Sequence, residues 1–306
     1  MTDGVTPIEI EKDQPGFINT PLVDSIVQRS LAYLGAGFPV HLTGAAGTGK
    51  TCLALYAAAQ IGQPVVIIHG DEELGTSDMV GGSYGWRHKR VRDNFIQSVK
   101  KLDHQVESIW VDNRLTVACK CGYTLVYDEF TRSRAEANNA LLSVLEEGVL
   151  DMPAGRGDES FIEVHPGFRA IFTSNPSEYA GIHQAADALQ DRMITIKLGH
   201  YDRDTEVAIT AAKSGIGKAS AAKIVDIVRD FREFRETDKG HHEICPTVRS
   251  SIMIATVLKA YGARPKLSDE NFVCLCHDVL DSSRRGGTPS RAVKTKVNTL
   301  IRRFAA

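Results

Sequence analysis

Gly44-Ala45-Ala46-Gly47-Thr48-Gly49-Lys50-Thr51 sets three glycines ahead of a lysine and a hydroxyl. Glycines at these positions let the backbone wrap so that successive N–H groups, from Gly44 through Cys52, converge on one anion. The Lys50 ammonium can reach the outer oxygens of a polyphosphate. The Thr51 hydroxyl is a hard ligand suited to Mg2+. A helix opening at Lys50 adds its positive end at the same spot. The pattern G-x-x-x-x-G-K-[ST] carries weight only between a strand and a helix. The apolar run Val40–Thr43 before it and the helix-like run Lys50–Ile61 after it supply that setting. The sequence has no N-K-x-D guanine motif after it, so the expected ligand is ATP with Mg2+.

A second group follows. Leu125-Val126-Tyr127-Asp128-Glu129 is an apolar strand that ends in two carboxylates. A buried parallel strand delivers its last residues to the edge of the sheet where ligands bind in such folds. Asp128 is expected to hold Mg2+ through its water shell, and Glu129 to polarise an attacking water as general base. The adjacent glutamate favours hydrolysis over transfer to a small acceptor. A third strand-like run, Ala170–Ser174, ends in Asn175-Pro176. A neutral amide there can sense a γ-phosphate, or it can simply cap a turn. Arg192, at the start of the run Met193–Leu198, can reach a neighbouring subunit's nucleotide as an arginine finger or pair with Asp187 or Asp191. Arg249 opens a helix-like segment, either as a second sensor or as a solvated helix-start arginine.

The elements that must position these groups alternate. Strand-like runs at Val40–Thr43, Val65–His69, Thr124–Asp128, Ala170–Ser174 and Met193–Leu198 are separated by helix-like segments at Lys50–Ile61, about Arg87–Leu102 and about Arg134–Glu147. That alternation predicts an α/β fold, a P-loop αβα sandwich on a parallel five-stranded core sheet. Residues 149–165 read as a β-hairpin. Beyond Gly199 only helical patterns remain: Asp204–Ser214, Ala219–Glu236, Thr247–Tyr261, Asp269–Leu280 and Ser290–Phe304. The expected organisation is a flexible segment at 1–16, a nucleotide-binding core at 17–199 and an all-helical lid at 200–306.

In their order these segments resemble the AAA+ superfamily, in its MoxR-like branch, over about residues 17–262. Asp128-Glu129-Phe130-Thr131-Arg132, the run Asn139–Glu147 and Pro246-Thr247-Val248-Arg249 carry the likeness. Phe17–Pro21, Gly35–His41, Gly122–Ser133 and Thr173–Gly181 resemble more narrowly the gas vesicle N family, related to activators of carbon-fixation and denitrification enzymes. The resemblance implies a homo-oligomeric ring, a hexamer with nucleotide at subunit interfaces. It also implies a remodelling ATPase whose clients are gas vesicle structural or assembly proteins. Alternatives from other classes are a nucleic-acid-translocating ATPase and a slow-turnover assembly scaffold.

Bulk properties agree with a cytoplasmic protein. The 306 residues are 42% hydrophobic and carry a net charge of -2, so no global pull toward nucleic acid or anionic membranes is implied. No apolar stretch is long enough to span a bilayer. Cys52, Cys245 and Cys274 lie in or near apolar segments and are expected as reduced, buried thiols. The C-x-C pairs Cys119/Cys121 and Cys274/Cys276 do not have the spacing of a structural zinc site. Gly81–Trp86, rich in glycine with Tyr84 and Trp86, is expected as a loop gripping a polypeptide client, next to the basic cluster Arg87–Arg92.

Overall fold

A computed structural model of the chain describes residues 6–14, 16–93, 101–153, 160–175, 188–237, 245–281 and 291–305, with only the backbone for 84–93 and 101–109. The chain divides into two compact units. The first comprises Met1–Lys12, Arg29–Thr43 and Thr51–Ile196. The second comprises Asp13–Gln28, Gly44–Lys50 and Lys197–Ala306.

The first unit is organised on a five-stranded sheet. Its strands are β1 (Val40–Gly44), β2 (Val65–His69), β5 (Thr124–Asp128), β8 (Arg169–Ser174) and β9 (Ile194–Leu198), in the order β2-β5-β8-β1-β9. The β2–β5, β5–β8 and β8–β1 ladders are parallel, with His69 opposite Asp128 and Thr43 opposite Ser174. Parallel strands buried on both faces need continuous apolar runs, and Val65, Val66, Leu125, Val126, Ile171 and Phe172 are all buried. Helices α1 (Pro21–Gly35), α2 (Lys50–Ile61), α4 (Arg114–Cys121) and α5 (Ala135–Glu146) connect or flank these strands in sequence. Beneath the strand ends, the rings of Tyr127, Phe130, Phe172 and His41 pack edge-on or tilted at 5.3–6.1 Å. Ile8 pairs in both directions with Val65 and so covers part of the free edge of β2. The segment expected to be a flexible lead-in is therefore tied down at that residue.

The helix-like segment expected at about Arg87–Leu102 is corrected over its described residues, 87–93 and 101–102. Instead the short helix α3 (Thr76–Val80) stops at Gly81, and the antiparallel strands β3 (Gly81–Asp93) and β4 (Lys101–Asp112) run in register from Gly81↔Asp112 to Asp93↔Lys101. Gly81 has φ 132°, outside helical space, so the helix cannot continue through it. The backbone then finds its partners across the hairpin. The stretch Gly81–Trp86 is strand with an irregularity between Ser83 and Trp86, not the loop expected. Helix α4, missed in the sequence, starts on Asn113, whose side chain accepts from the Arg114 N–H, and ends at Gly122 with φ 70°. The hairpin expected at 149–165 is present as β6 (Val149–Asp151) and β7 (Phe161–Glu163).

The second unit is helical: α6 (Arg203–Ser214), α7 (Lys218–Thr237), α8 (Val248–Ala260), α9 (Glu270–Leu280) and α10 (Arg291–Phe304). Each lies within a residue or two of its expected bounds. Ile224, Val228, Phe231, Ile254, Leu258, Phe272, Val297 and Leu300 form its apolar centre. No helix among the described residues is long and apolar enough to cross a membrane.

All six cysteines are free. The expectation of buried thiols at Cys52 and Cys274 is corrected, since both are exposed; Cys119 and Cys276 are the buried ones. Each C-x-C pair sits on a helix, where residues two apart point to different sides. Burial pushes the Cys119 and Cys276 thiols up to about 12, so both stay protonated and inert.

Candidate nucleotide site

Within the first unit, the ends of β5 and β8 and the start of α2 converge on one carboxylate. Asp128 accepts at the same oxygen from the Thr51 hydroxyl at 2.7 Å and from the Thr173 hydroxyl at 2.5 Å. Thr173 in turn accepts from the backbone N–H of Glu129 at 2.9 Å. His69, at the end of the neighbouring strand, lies 3.7 Å from the other Asp128 oxygen and is largely exposed. The parallel register produces this meeting, because strands running the same way end at the same edge.

Glu129 has φ 53° and ψ 39°, the sole non-glycine at positive φ among the described residues. For an L-residue that conformation costs on the order of 1 to 2 kcal/mol. It turns the chain into the 3-10 turn Phe130–Arg132, and Arg132 donates to the Glu129 carboxylate at 2.6 Å. Close packing enforces the turn. Gly70 donates to the Asp128 carbonyl at 2.7 Å, and a side chain on Gly70 would collide with the Glu129 carbonyl. Asn175 is buried directly after β8.

Gly44–Lys50, the part of the expected phosphate loop Gly44–Thr51 that lies in the second unit, is tightly wound. The Lys50 ammonium is buried and folds back to donate to the Gly44 and Ala45 carbonyls at 2.8 and 2.9 Å. The Thr48 hydroxyl donates to the Ala45 carbonyl at 2.9 Å. Gly47 and Gly49 have φ 80° and 85°, which any side chain would oppose. Gly47 also lies against Thr247 and the Cβ of Arg249, so it has no room for a larger residue, whereas a Cβ on Gly49 would sit in ordinary contact with the Tyr201 hydroxyl. Arg249 is exposed in the first turn of α8. Ala46 is half-buried, and Ala45 and Cys52 are exposed.

Arg192 pairs with Glu146 rather than with Asp191, and Asp187 lies outside the described residues. Its guanidinium donates through Nε at 2.9 Å, and through Nη2, to Glu146 of α5, and to the Ala188 carbonyl at 2.7 Å. Sequence reasoning missed Thr173, His69, Tyr201 and Thr247. Thr173 alone left a local sign, a hydroxyl inside an otherwise apolar strand.

The donor set can be tested against the expected cofactor. Mg2+ takes hard oxygens and usually one or two protein ligands, with phosphate and water supplying the rest. Thr51 and Asp128 are such a pair, already within hydrogen-bond reach of each other. No cluster of three or more His, Cys, Asp or Glu that would favour another kind of metal centre occurs among the described residues. The residues fit Mg2+.

A parallel sheet in this strand order, with a phosphate loop after β1 and paired acids after β5, defines an ATPase of the AAA class. The profile of the AAA domain (dynein-related subfamily) matches residues 39–193. The chain is 49% identical to Gas vesicle ATPase GvpN of Ancylobacter aquaticus, over 92% of this chain and 78% of that one. It is 41% identical to Gas vesicle ATPase GvpN1 of Halobacterium salinarum, over 94% and 81%. A solved RuvB mutant of Thermotoga maritima shares the fold at TM-score 0.52 and 17% identity, covering 89% of this chain and 73% of that one. The chain belongs to the gas vesicle ATPase GvpN family of AAA ATPases, and its reaction is ATP hydrolysis. These matches favour neither a nucleic-acid translocase nor a scaffold of slow turnover.

Proposed function

We propose that this ATPase is a ring-forming motor that remodels client proteins during gas vesicle formation. The observation that supports it most is the hydrogen bond from Thr51, the last residue of the phosphate loop motif, to Asp128. In this reading the N–H groups from Gly44 to Cys52 cradle the triphosphate, and Lys50 exchanges the carbonyls of Gly44 and Ala45 for phosphate oxygens. Thr51 and Asp128 hold Mg2+, which when bound offsets the charge of the phosphates. Glu129, released from Arg132, takes the proton of the attacking water. Asn175 reads the γ-phosphate, and Arg249 carries the nucleotide state to the helices of its own unit.

Arg192 acts in trans on the neighbour's nucleotide in a hexamer. The exposed Arg192–Glu146 pair that holds it is worth about 1 kcal/mol or less, cheap to exchange for a phosphate. Gas vesicle structural or assembly proteins are the clients, and the machine works in the cytoplasm at the growing vesicle. The relatives' names, which tie them to gas vesicles, support the client.

The test replaces Glu129 with Gln. Turnover should fall by about 100-fold or more, the usual contribution of a general base, while ATP affinity stays within about threefold. Turnover close to wild type would remove Glu129 from the chemistry.

A further inference from the structure

The second unit contains a buried carboxylate that the reaction does not use. Glu206 of α6 is 1% exposed, and it meets Arg232 of α7, 5% exposed, at 2.9 Å. Its other oxygen lies 3.6 Å from Arg229, one turn earlier on α7. Each guanidinium has a second task. Arg232 donates through Nε to the Pro246 carbonyl at 2.7 Å, and Arg229 donates to the Tyr201 carbonyl at 2.9 Å. These two carbonyls belong to the segments that touch the phosphate loop. Thr247 and Arg249, one and three residues beyond Pro246, lie against Gly47, and the Tyr201 hydroxyl lies against Gly49.

A buried ion pair is a weak device for stability, since apolar residues of similar volume often do as well or better. It is an effective device for position. Arginine presents several donors in a rigid fork and can hold a carboxylate and a carbonyl at once, which a lysine cannot match in geometry. Burial, and next the charge of Arg232, lowers the His200 imidazole, so the histidine beside the two cations stays neutral and adds no third charge.

We infer that Glu206, Arg229 and Arg232 are positioning residues that hold the backing of the phosphate loop, and thereby set how tightly ATP binds. One carboxylate faces both guanidiniums, and the guanidiniums hold the backbone at Tyr201 and Pro246, whose segments carry the groups beside Gly49 and Gly47. The inference rests on the reading of Gly44–Thr51 as the triphosphate cradle.

The experiment measures binding of a fluorescent ATP analogue, steady-state ATP turnover and nucleotide-free melting for wild type, Arg232→Lys and Arg229→Met. Arg232→Lys keeps the charge against Glu206 and loses the fork. Arg229→Met, at a partly exposed position, removes the Tyr201 clamp together with the longer contact to Glu206, leaves the Arg232–Glu206 hydrogen bond in place, and guards against a failure of the first variant to fold. For Arg232→Lys, Kd and KM for ATP should rise about tenfold, with kcat at saturating ATP within about twofold of wild type. For Arg229→Met the same constants should rise about threefold. Folded variants with wild-type Kd and KM, or variants that only melt earlier, would overturn the clamp. If wild type itself bound no ATP, the cradle reading would fall before the clamp was tested.

Discussion

The carboxylate cluster of the first unit and the phosphate loop of the second are built on different principles. Around Asp128 the functional atoms are side chains at strand ends. Their order comes from a relay of short hydrogen bonds through Thr51, Thr173 and the Glu129 N–H. In Gly44–Lys50 the binding groups are mostly backbone, and order comes from the Lys50 and Thr48 bonds to the loop's own carbonyls and, from outside, from Thr247, Arg249 and Tyr201 and the arginines behind them. The difference teaches where each half is vulnerable. The carboxylate side should break at single hydroxyls and acids, and break in rate. The loop side should break through its supports, and break in affinity.

Loss of Glu129 is the largest effect expected on the carboxylate side, and it falls on rate. Next comes Thr173→Val, which keeps the shape of the strand and removes the hydroxyl shared by Asp128 and the Glu129 N–H. An unsatisfied donor at this partly buried place costs about 1–3 kcal/mol. We expect kcat to fall about tenfold with the KM for ATP nearly unchanged, read by steady-state turnover. An effect confined to KM would erase the contrast with the Arg232 and Arg229 variants.

The smallest effect on turnover is expected at His41, which sharpens the comparison by separating support from chemistry. His41 bridges Ser174 at 2.6 Å and Thr195 at 3.1 Å, and burial lowers its imidazole to about 4 from 6.5. The unfolded chain therefore binds more protons than the folded one between those two values. Stability contributed by the neutral ring is complete above about pH 6.5 and is lost as pH falls toward 4, by on the order of 3 kcal/mol in all. His41→Gln should flatten the pH dependence of the urea midpoint across that window while turnover at pH 7 changes by less than about twofold. An unchanged slope would mean that the ring is not held neutral.

Local chemistry was the legible part of this molecule. Helix α2 occupies the residues its pattern specified, Lys50–Ile61, and β5 likewise, because a glycine-rich loop and a buried apolar run each impose one conformation. The pairing of β3 with β4 was misread as a helix-like segment because the ladder that forms joins residues up to 31 positions apart, Gly81 with Asp112, beyond the reach of any local pattern. The site follows the same division. Lys50, Thr51, Asp128 and Glu129 announce themselves by type and spacing. Thr173 and the trio Glu206, Arg229 and Arg232 gain meaning only from contacts far along the chain, which no local pattern encodes.

The central claim is that Asp128 and the hydroxyl of Thr51 form one Mg2+ site serving a triphosphate on the loop. Calorimetric titration of ATP into wild type and Asp128→Asn, each with and without Mg2+, tests it most directly. The account predicts that Mg2+ tightens ATP binding to wild type by about tenfold or more and that Asp128→Asn loses that increment while keeping its Mg2+-free affinity. An Asp128→Asn protein that responds to Mg2+ as strongly as wild type would contradict it.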